Sequence, residues 1–258
     1  MKLTIKHPFL CLPVVSHPKD TRVLKLFDGE KLLLCVYFPF GEAAADNGTY
    51  SYEYLSPLPV SEWMGRTLTL SAEFPAGFED AVTQTDELPV SDEVHPAVHF
   101  TANAGWINDP NGLVYDNGTY HLYYQHNPFG VNWNNMSWGH ATSTDLLHWT
   151  RLPVAMLPDE EGTIFSGCGL TNEHRDEIQA AADSNLYRSL PKDALLFFYT
   201  AAGGSHDSAC SEGKDYTQHT AYSTDHGLTL QKLPGAVVPF LKTDNRDPKV
   251  YWHEKSKA

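Results

Sequence analysis

No stretch of the chain approaches the ~18 consecutive apolar residues of a membrane-spanning helix. Met1 to Pro13 lacks the apolar core and small-residue cleavage site of a secretory signal. Cations are few: 18 Lys and Arg stand against 32 Asp and Glu, a net charge of −14. Gripping a phosphate backbone needs clustered Lys and Arg, so nucleic acid is excluded as a partner and a neutral substrate suits better. Cysteine is scarce. Cys11, Cys35, Cys168 and Cys210 form no C-x-x-C pair, which argues against a zinc site. Buried free thiols are the expected state of all four, with one or two disulfides as the alternative. Helical periodicity is scarce too. Only Arg175 to Leu190, containing Asp-Glu-Ile-Gln-Ala-Ala-Ala, reads as a short helix.

What is present is aromatic, apolar and rich in turn residues. Hydrophobic residues make up 41% of the 258 and aromatics 12%, with 18 Gly and 17 Pro. That is enough for a sizeable core built from short strands. Residues 1–92 read as a β-rich, sandwich-like domain. Val23 to Phe27 and Lys31 to Phe38 flank Asp28-Gly29 as a hairpin. Asp46-Asn47-Gly48-Thr49 marks a turn before Tyr50 to Leu55, and Thr67 to Phe74 alternates like a half-buried strand. Tyr50, Tyr52, Tyr54 and Trp63 are either core and interface residues or a platform for stacking on sugar rings. Gln84 to Pro96, acidic with two prolines, reads as the linker to a second domain, 93–258.

The second domain repeats itself. Ser143-Thr144-Asp145 followed by Leu152-Pro153 recurs as Ser223-Thr224-Asp225 followed by Leu233-Pro234. Each copy follows an aromatic strand, Leu122 to Tyr124 or Phe197 to Tyr199. Repeats of four short strands point to a β-propeller. The spacing gives two blades, with Lys249 to Trp252 as the strand that starts a third. Val114-Tyr115, Asp116-Asn117-Gly118 and Thr119 to Gln125 read as a hairpin within the first blade.

Two clusters carry chemistry. Gly105-Trp106-Ile107-Asn108-Asp109-Pro110-Asn111-Gly112 reads first as a turn, in which Asp109 is a buried or capping residue. Trp106 and Ile107 are costly to expose, which draws the stretch into a core or cleft. Asn245-Arg246-Asp247-Pro248-Lys249 repeats the Asp-Pro arrangement. Two such turns running into strands can bring two carboxylates to one pocket. Taken alone, Arg246 and Asp247 also read as a structural ion pair.

These two clusters, with His99-Phe100-Thr101, Tyr123 to Pro128, Trp138-Gly139-His140-Ala141, Ser143 to Trp149, Pro158-Asp159, Phe165-Ser166-Gly167 and Ala221 to Asp225 in order, resemble glycoside hydrolase family 32, the invertases, inulinases and levanases. The resemblance runs from about residue 95 onward. It implies an all-β fold, here a small N-terminal β-sandwich-like domain followed by two blades and the start of a third of a five-bladed β-propeller. It implies release of fructose from β-fructans or sucrose by a retaining mechanism, with no metal or other cofactor and no insertion in a membrane. Nothing in the residues sets an oligomeric state. By the match, Asp109 is the nucleophile, with the amides of Asn108 and Asn111 as candidate donors, and Asp247 holds sugar hydroxyls in the transition state. Substrate positioning falls to Asn108, Gln125, Trp133, Trp138, Phe165, Ser166 and Arg246, amides and hydroxyls at the sugar's edge and aromatics at its face.

Two departures stand out. Asn245 replaces the aromatic usual before the Arg. The family's acid/base Glu, in a Glu-x-Pro motif well after the Arg-Asp-Pro, has no match here, since Glu254 lies too close to Asp247 and no Pro follows it. The chain by itself is therefore expected to be inactive as a hydrolase, and open blades predict that it aggregates or needs a partner. A fructan-binding role without turnover, or a degenerate product, is the alternative. His121, His126, His140 and His148 lack metal-ligand spacing and read as structural. Asn47, Asn117 and Asn135 each begin an Asn-x-Ser/Thr pattern, though the first two read more simply as turns and glycosylation would need a eukaryotic secretory source.

Overall fold

The computed structural model describes residues 1–42, 49–89, 96–177, 185–203, 209–242 and 245–258. The turn expected at Asp46-Asn47-Gly48 and the middle of the helix expected from Arg175 fall outside these residues. Of that helix the structure describes one short turn, α2 (Asn185–Ser189), after α1 (Phe78–Ala81). No described helix is long and apolar enough to cross a membrane.

The N-terminal part is two antiparallel sheets sharing one core. One sheet orders β1 (Lys2–Thr4), β6 (Thr67–Ser71), β3 (Asp20–Asp28) and β4 (Lys31–Phe40). The other orders β5 (Tyr54–Pro59), β2 (Phe9–Val14) and β7 (Thr83–Thr85). The β3–β4 hairpin forms where its alternation predicts. Leu24 and Leu26 face inward with Leu34, Val36 and Phe38, and Gly29 takes a positive φ of 59° at the turn. Leu10, Leu12 and Leu58 of the facing sheet complete the core. Two expectations shift. The strand read over Tyr50 to Leu55 begins instead at Tyr54. Gln84 and Thr85 belong to β7 and not to a linker, because β2 offers them a ladder partner and the Gln84 side chain accepts from Lys6 N–H at 2.8 Å. Of the four aromatics weighed as a sugar platform, Tyr52 alone is exposed. Tyr50 is buried in the core and Trp63 packs against it.

The second part is two four-stranded antiparallel sheets in simple sequential order, laid out as propeller blades. The first runs β8 (Trp106–Asp116), β9 (Thr119–Asn127), β10 (Ser137–Ser143), β11 (Thr150–Met156). The second runs β12 (Thr163–Thr171), β13 (Leu195–Ala202), β14 (Thr217–Ser223), β15 (Gln231–Lys232). β8 and β12 lie side by side at the start of their sheets. The repeat has a local cause. Ser143 Oγ and Ser223 Oγ end the third strand of each sheet by accepting N–H groups of the following turn, and Asp145 and Asp225 do the same one turn on. Between β8 and β9, Asn117 and Gly118 both have positive φ, 45° and 84°, as a two-residue hairpin turn requires. Tyr123, Trp138, Phe197 and Tyr199 form the core between the blades.

Sandwich and blades are joined tightly. Phe129 of the first blade is part of the sandwich core. The Asn135 amide accepts from Tyr37 N–H at 2.9 Å and donates to Tyr37 C=O at 2.8 Å, as a neighbouring strand would. Being 2% exposed and fully engaged, Asn135 is closed to glycosylation in the folded chain, whereas Asn117 sits on an exposed turn. Cys35 and Cys210 form a disulfide from β4 to the loop before β14, while Cys11 and Cys168 are buried free thiols. The expectation of four free thiols thus holds for two, because folding brings two distant cysteines within bonding range.

The strand expected at Lys249 to Trp252 is not one. A strand needs a ladder partner, and the Val250 N–H finds Cys168 Sγ at 3.1 Å while Tyr251 is exposed.

Candidate active site

The stretch Trp106 to Gly112 is strand and not turn, a correction with consequences. Between the pairs Ile107–His126 and Pro110–Tyr124, β8 carries one residue more than β9, so Asn108 and Asp109 together oppose Gln125. Such a bulge breaks the alternation of a strand and lets neighbours face the same way. β12 repeats the device. Between Ile164–Ala201 and Gly167–Tyr199, Phe165 and Ser166 together oppose Thr200. Gly112 allows the second bulge of β8, with φ 52° and no room for a Cβ among Tyr123, Trp138 and Phe197.

The two bulges face one open pocket of about 240 Å³, lined by Asn108, Asp109, Gln125, Trp133, Phe165, Ser166, Arg246 and Asp247. Eight of the nine residues singled out from the sequence meet there. The ninth, Trp138, does not reach it. It is fully buried beneath, and its indole N–H donates to Phe165 C=O at 3.1 Å. A ring of that size on a core-facing strand position is held by apolar packing, and its one polar atom supports the pocket floor.

Inside the pocket Ser166 Oγ stands 3.5 Å from Asp109 Oδ2. Neither of the amides expected to serve Asp109 donates to it, and their oxygens are engaged elsewhere. Asn108 Oδ1 accepts from the Trp106 indole at 2.8 Å, and Asn111 Oδ1 accepts from Gly167 N–H at 3.3 Å, with Asn111 Nδ2 buried and unpartnered. Gln125 Nε2 donates to Ile164 C=O at 2.9 Å, tying the first blade to the second at the pocket. Trp133, 42% exposed, meets Phe165 edge to face, centroids 5.8 Å apart, and makes the aromatic wall. Asp247 sits at φ 59°, with Arg246 Nε 3.7 Å from its carboxylate. Burial raises the Asp247 pKa above the usual carboxylate value, Arg246 opposes the shift and the Asp109 charge adds to it.

Glu254 is not in the pocket. It is held on the surface by Lys257 and by the Trp252 indole at 2.7 Å. A larger cavity of about 700 Å³ lies between the sandwich and the first blade, but the one carboxylate that lines it among the described residues, Glu53, accepts from Ser16 N–H at 2.8 Å. The histidines are spent on structure. His126 Nδ1 donates to Trp106 C=O at 2.8 Å, His121 and His140 share a hydrogen bond of 3.1 Å, and His148 caps Asp145 at 2.7 Å. Among the described residues, no three His, Cys, Asp or Glu are placed to hold a metal.

Residues 99–258 match the family model described as the glycosyl hydrolases family 32 N-terminal domain. The chain belongs to glycoside hydrolase family 32. Over 193 residues this family 32 chain is 40% identical to the levanase of Bacillus subtilis (strain 168), covering 74% of the chain and 25% of the levanase. Over 202 residues it is 36% identical to the fructan beta-fructosidase of Streptococcus mutans serotype c, covering 76% of the chain and 13% of that protein. Among solved structures it is similar to the fructofuranosidase from Schwanniomyces occidentalis complexed with fructose, with a TM-score of 0.51 and 35% identity over 63% of this chain and 30% of that one. The chain thus spans a quarter or less of the two curated relatives.

Proposed function

We propose that the pocket between β8 and β12 is the fructose site of a retaining fructosidase acting on β-fructans or sucrose. Two carboxylates from distant parts of the chain, Asp109 and Asp247, meeting in one aromatic-walled pocket carry this reading. The enzymatic names of its relatives, levanase and fructan beta-fructosidase, agree with it. Asp109 forms the bond to the anomeric carbon as the bond to the leaving oxygen breaks, and water later releases the sugar. Asp247 accepts two hydroxyl hydrogen bonds that strengthen as the ring gains positive charge. Asn108, Gln125, Ser166 and Arg246 bind the sugar's edge and Trp133 and Phe165 its apolar face. Residues 1–92 form an accessory unit and 93–258 belong to the catalytic one.

Asp109 and Asp247 are the only carboxylates lining the pocket among the described residues. An oxygen leaving group needs a proton, and loss of general acid catalysis typically costs about 10²–10⁴-fold. Fluoride leaves without one. The 258-residue chain should therefore bind levan or inulin oligosaccharides, hydrolyse them poorly, and still react with a β-fructosyl fluoride. Mass spectrometry should find one fructosyl unit on Asp109, absent in Asp109→Asn. Sugar binding without labelling favours the second reading, a fructan-binding protein. Neither binding nor labelling would sink both.

A further inference from the structure

Each blade holds the chain beyond it by the same device. In the first, Gln125 of β9 lies opposite the bulge of β8 and pairs across the ladder with Trp138 of β10. Their side chains donate to two successive carbonyls of β12, Gln125 Nε2 to Ile164 C=O at 2.9 Å and Trp138 Nε1 to Phe165 C=O at 3.1 Å. In the second, Thr200 of β13 lies opposite the bulge of β12 and pairs with Gln218 of β14. Thr200 Oγ1 accepts from Asp247 N–H at 3.0 Å and donates its own proton to Gln218 Oε1 at 2.7 Å. Gln218 Nε2 then donates to Asn245 C=O at 2.6 Å.

The chain of bonds is closed and dry, with Thr200 0% and Gln218 6% exposed. It grips the peptide units on both sides of Arg246, one by its carbonyl and one by its N–H. Gln218 also uses its backbone here, donating to Val238 C=O and accepting from Val237 N–H, so one residue of β14 holds Val237, Val238 and the Asn245 carbonyl. Asp247 needs such a grip. A positive φ of 59° is uncommon outside glycine and persists where the surroundings impose it.

We infer that Thr200 and Gln218 are positioning residues that aim the Asp247 carboxylate into the pocket, the second-blade counterparts of Gln125 and Trp138. The assignment rests on the pocket being a fructose site in which Asp247 holds sugar hydroxyls. Neither residue touches the sugar.

The test compares the full chain with Thr200→Val, which keeps the shape and removes the hydroxyl, and Thr200→Ser, which keeps the hydroxyl. Hydrogen exchange of the Asp247 amide, followed by NMR, should be about tenfold or more faster in Thr200→Val than in the wild type and restored in Thr200→Ser, while amides of 195–202 and 217–223 keep their protection. Affinity for a levan oligosaccharide should fall about tenfold in Thr200→Val and recover in Thr200→Ser. Unchanged exchange at Asp247, or equal loss of protection along β13 and β14, overturns the assignment. So does changed exchange with undiminished sugar affinity. A wild type that binds no fructoside removes the pocket reading, and with it the claim that the grip serves a sugar. The exchange data then still decide whether the grip exists.

Discussion

The indole N–H of Trp138, at the bottom of the core between the blades, donates to the carbonyl of Phe165 at 3.1 Å. The bond joins the third strand of one blade to the first strand of the next, directly under the pocket. In Trp138→Phe the carbonyl would lose its partner in a buried place, and part of the ring's volume would become a cavity. The expected loss is about 2–4 kcal/mol of stability, seen as a lower melting temperature. Fructoside affinity should fall with it as Phe165 loosens. A variant that melts and binds like the wild type would show that Trp138 only fills space.

Asp247 is charged at a cost. Burial is the first cause of its raised pKa, ahead of the opposing Arg246 and of the Asp109 charge. A raised folded pKa means the ionised form is disfavoured by folding above the unfolded value. Asp247→Asn should therefore leave the melting temperature at pH 7 unchanged or raise it, the more so because Asn tolerates the left-handed backbone found there. Fructoside affinity should nonetheless fall about tenfold or more, the size of a charged hydrogen bond. Wild-type affinity should also drop as pH falls through the raised pKa, and the variant's should not. Calorimetric titration at several pH values tests both statements.

Two buried histidines make the fold acid-sensitive. Burial pushes His126 down to about 4, against the Trp106 hydrogen bond, and His140 down to about 3, with the neighbouring His121 adding to the effect. Unfolded, both titrate near 6.5. Below that value the unfolded chain holds more protons than the folded one, so stability falls as pH falls, from about 6.5 down through the folded values. At pH 5 the loss is roughly 2 kcal/mol per histidine relative to pH 7. His140→Asn should shrink the difference between melting temperatures at pH 7 and pH 5. Equal pH dependence in the two proteins would place the titration elsewhere.

The Cys35–Cys210 disulfide closes a loop with a sequence separation of 175 residues. Chain entropy alone puts its contribution at about 5 kcal/mol, a ceiling that measured cases often miss. Reduction, or Cys35→Ser, should lower the melting temperature by several degrees and loosen the loop before β14. That loop leads to Tyr216, whose ring lies 5.9 Å from Phe165, so sugar affinity should weaken as well. A melting temperature indifferent to reductant would contradict this.

The sequence by itself determined the class of fold, the repeat and the membership of the pocket. Alternating apolar residues in β3 and β4, Asn117-Gly118 at a hairpin and two Ser-Thr-Asp turns are local features, and local sterics and side-chain hydrogen bonds act on them wherever they occur. The order of the motifs likewise picked out eight side chains that share one pocket. The tertiary structure decided what depends on partners far along the chain. Asp109 faces the pocket from a bulge because β9 supplies one residue fewer than β8, a count no local pattern contains. Trp138 went to the core, Gln84 joined a sheet and Lys249 to Trp252 formed no strand for the same reason: burial and ladder bonds exist only when another element is present to supply them. Cys35 meets Cys210 only once the sandwich and the second blade are folded against one another, and Thr200 meets Asp247 only once the chain beyond β14 returns to β13.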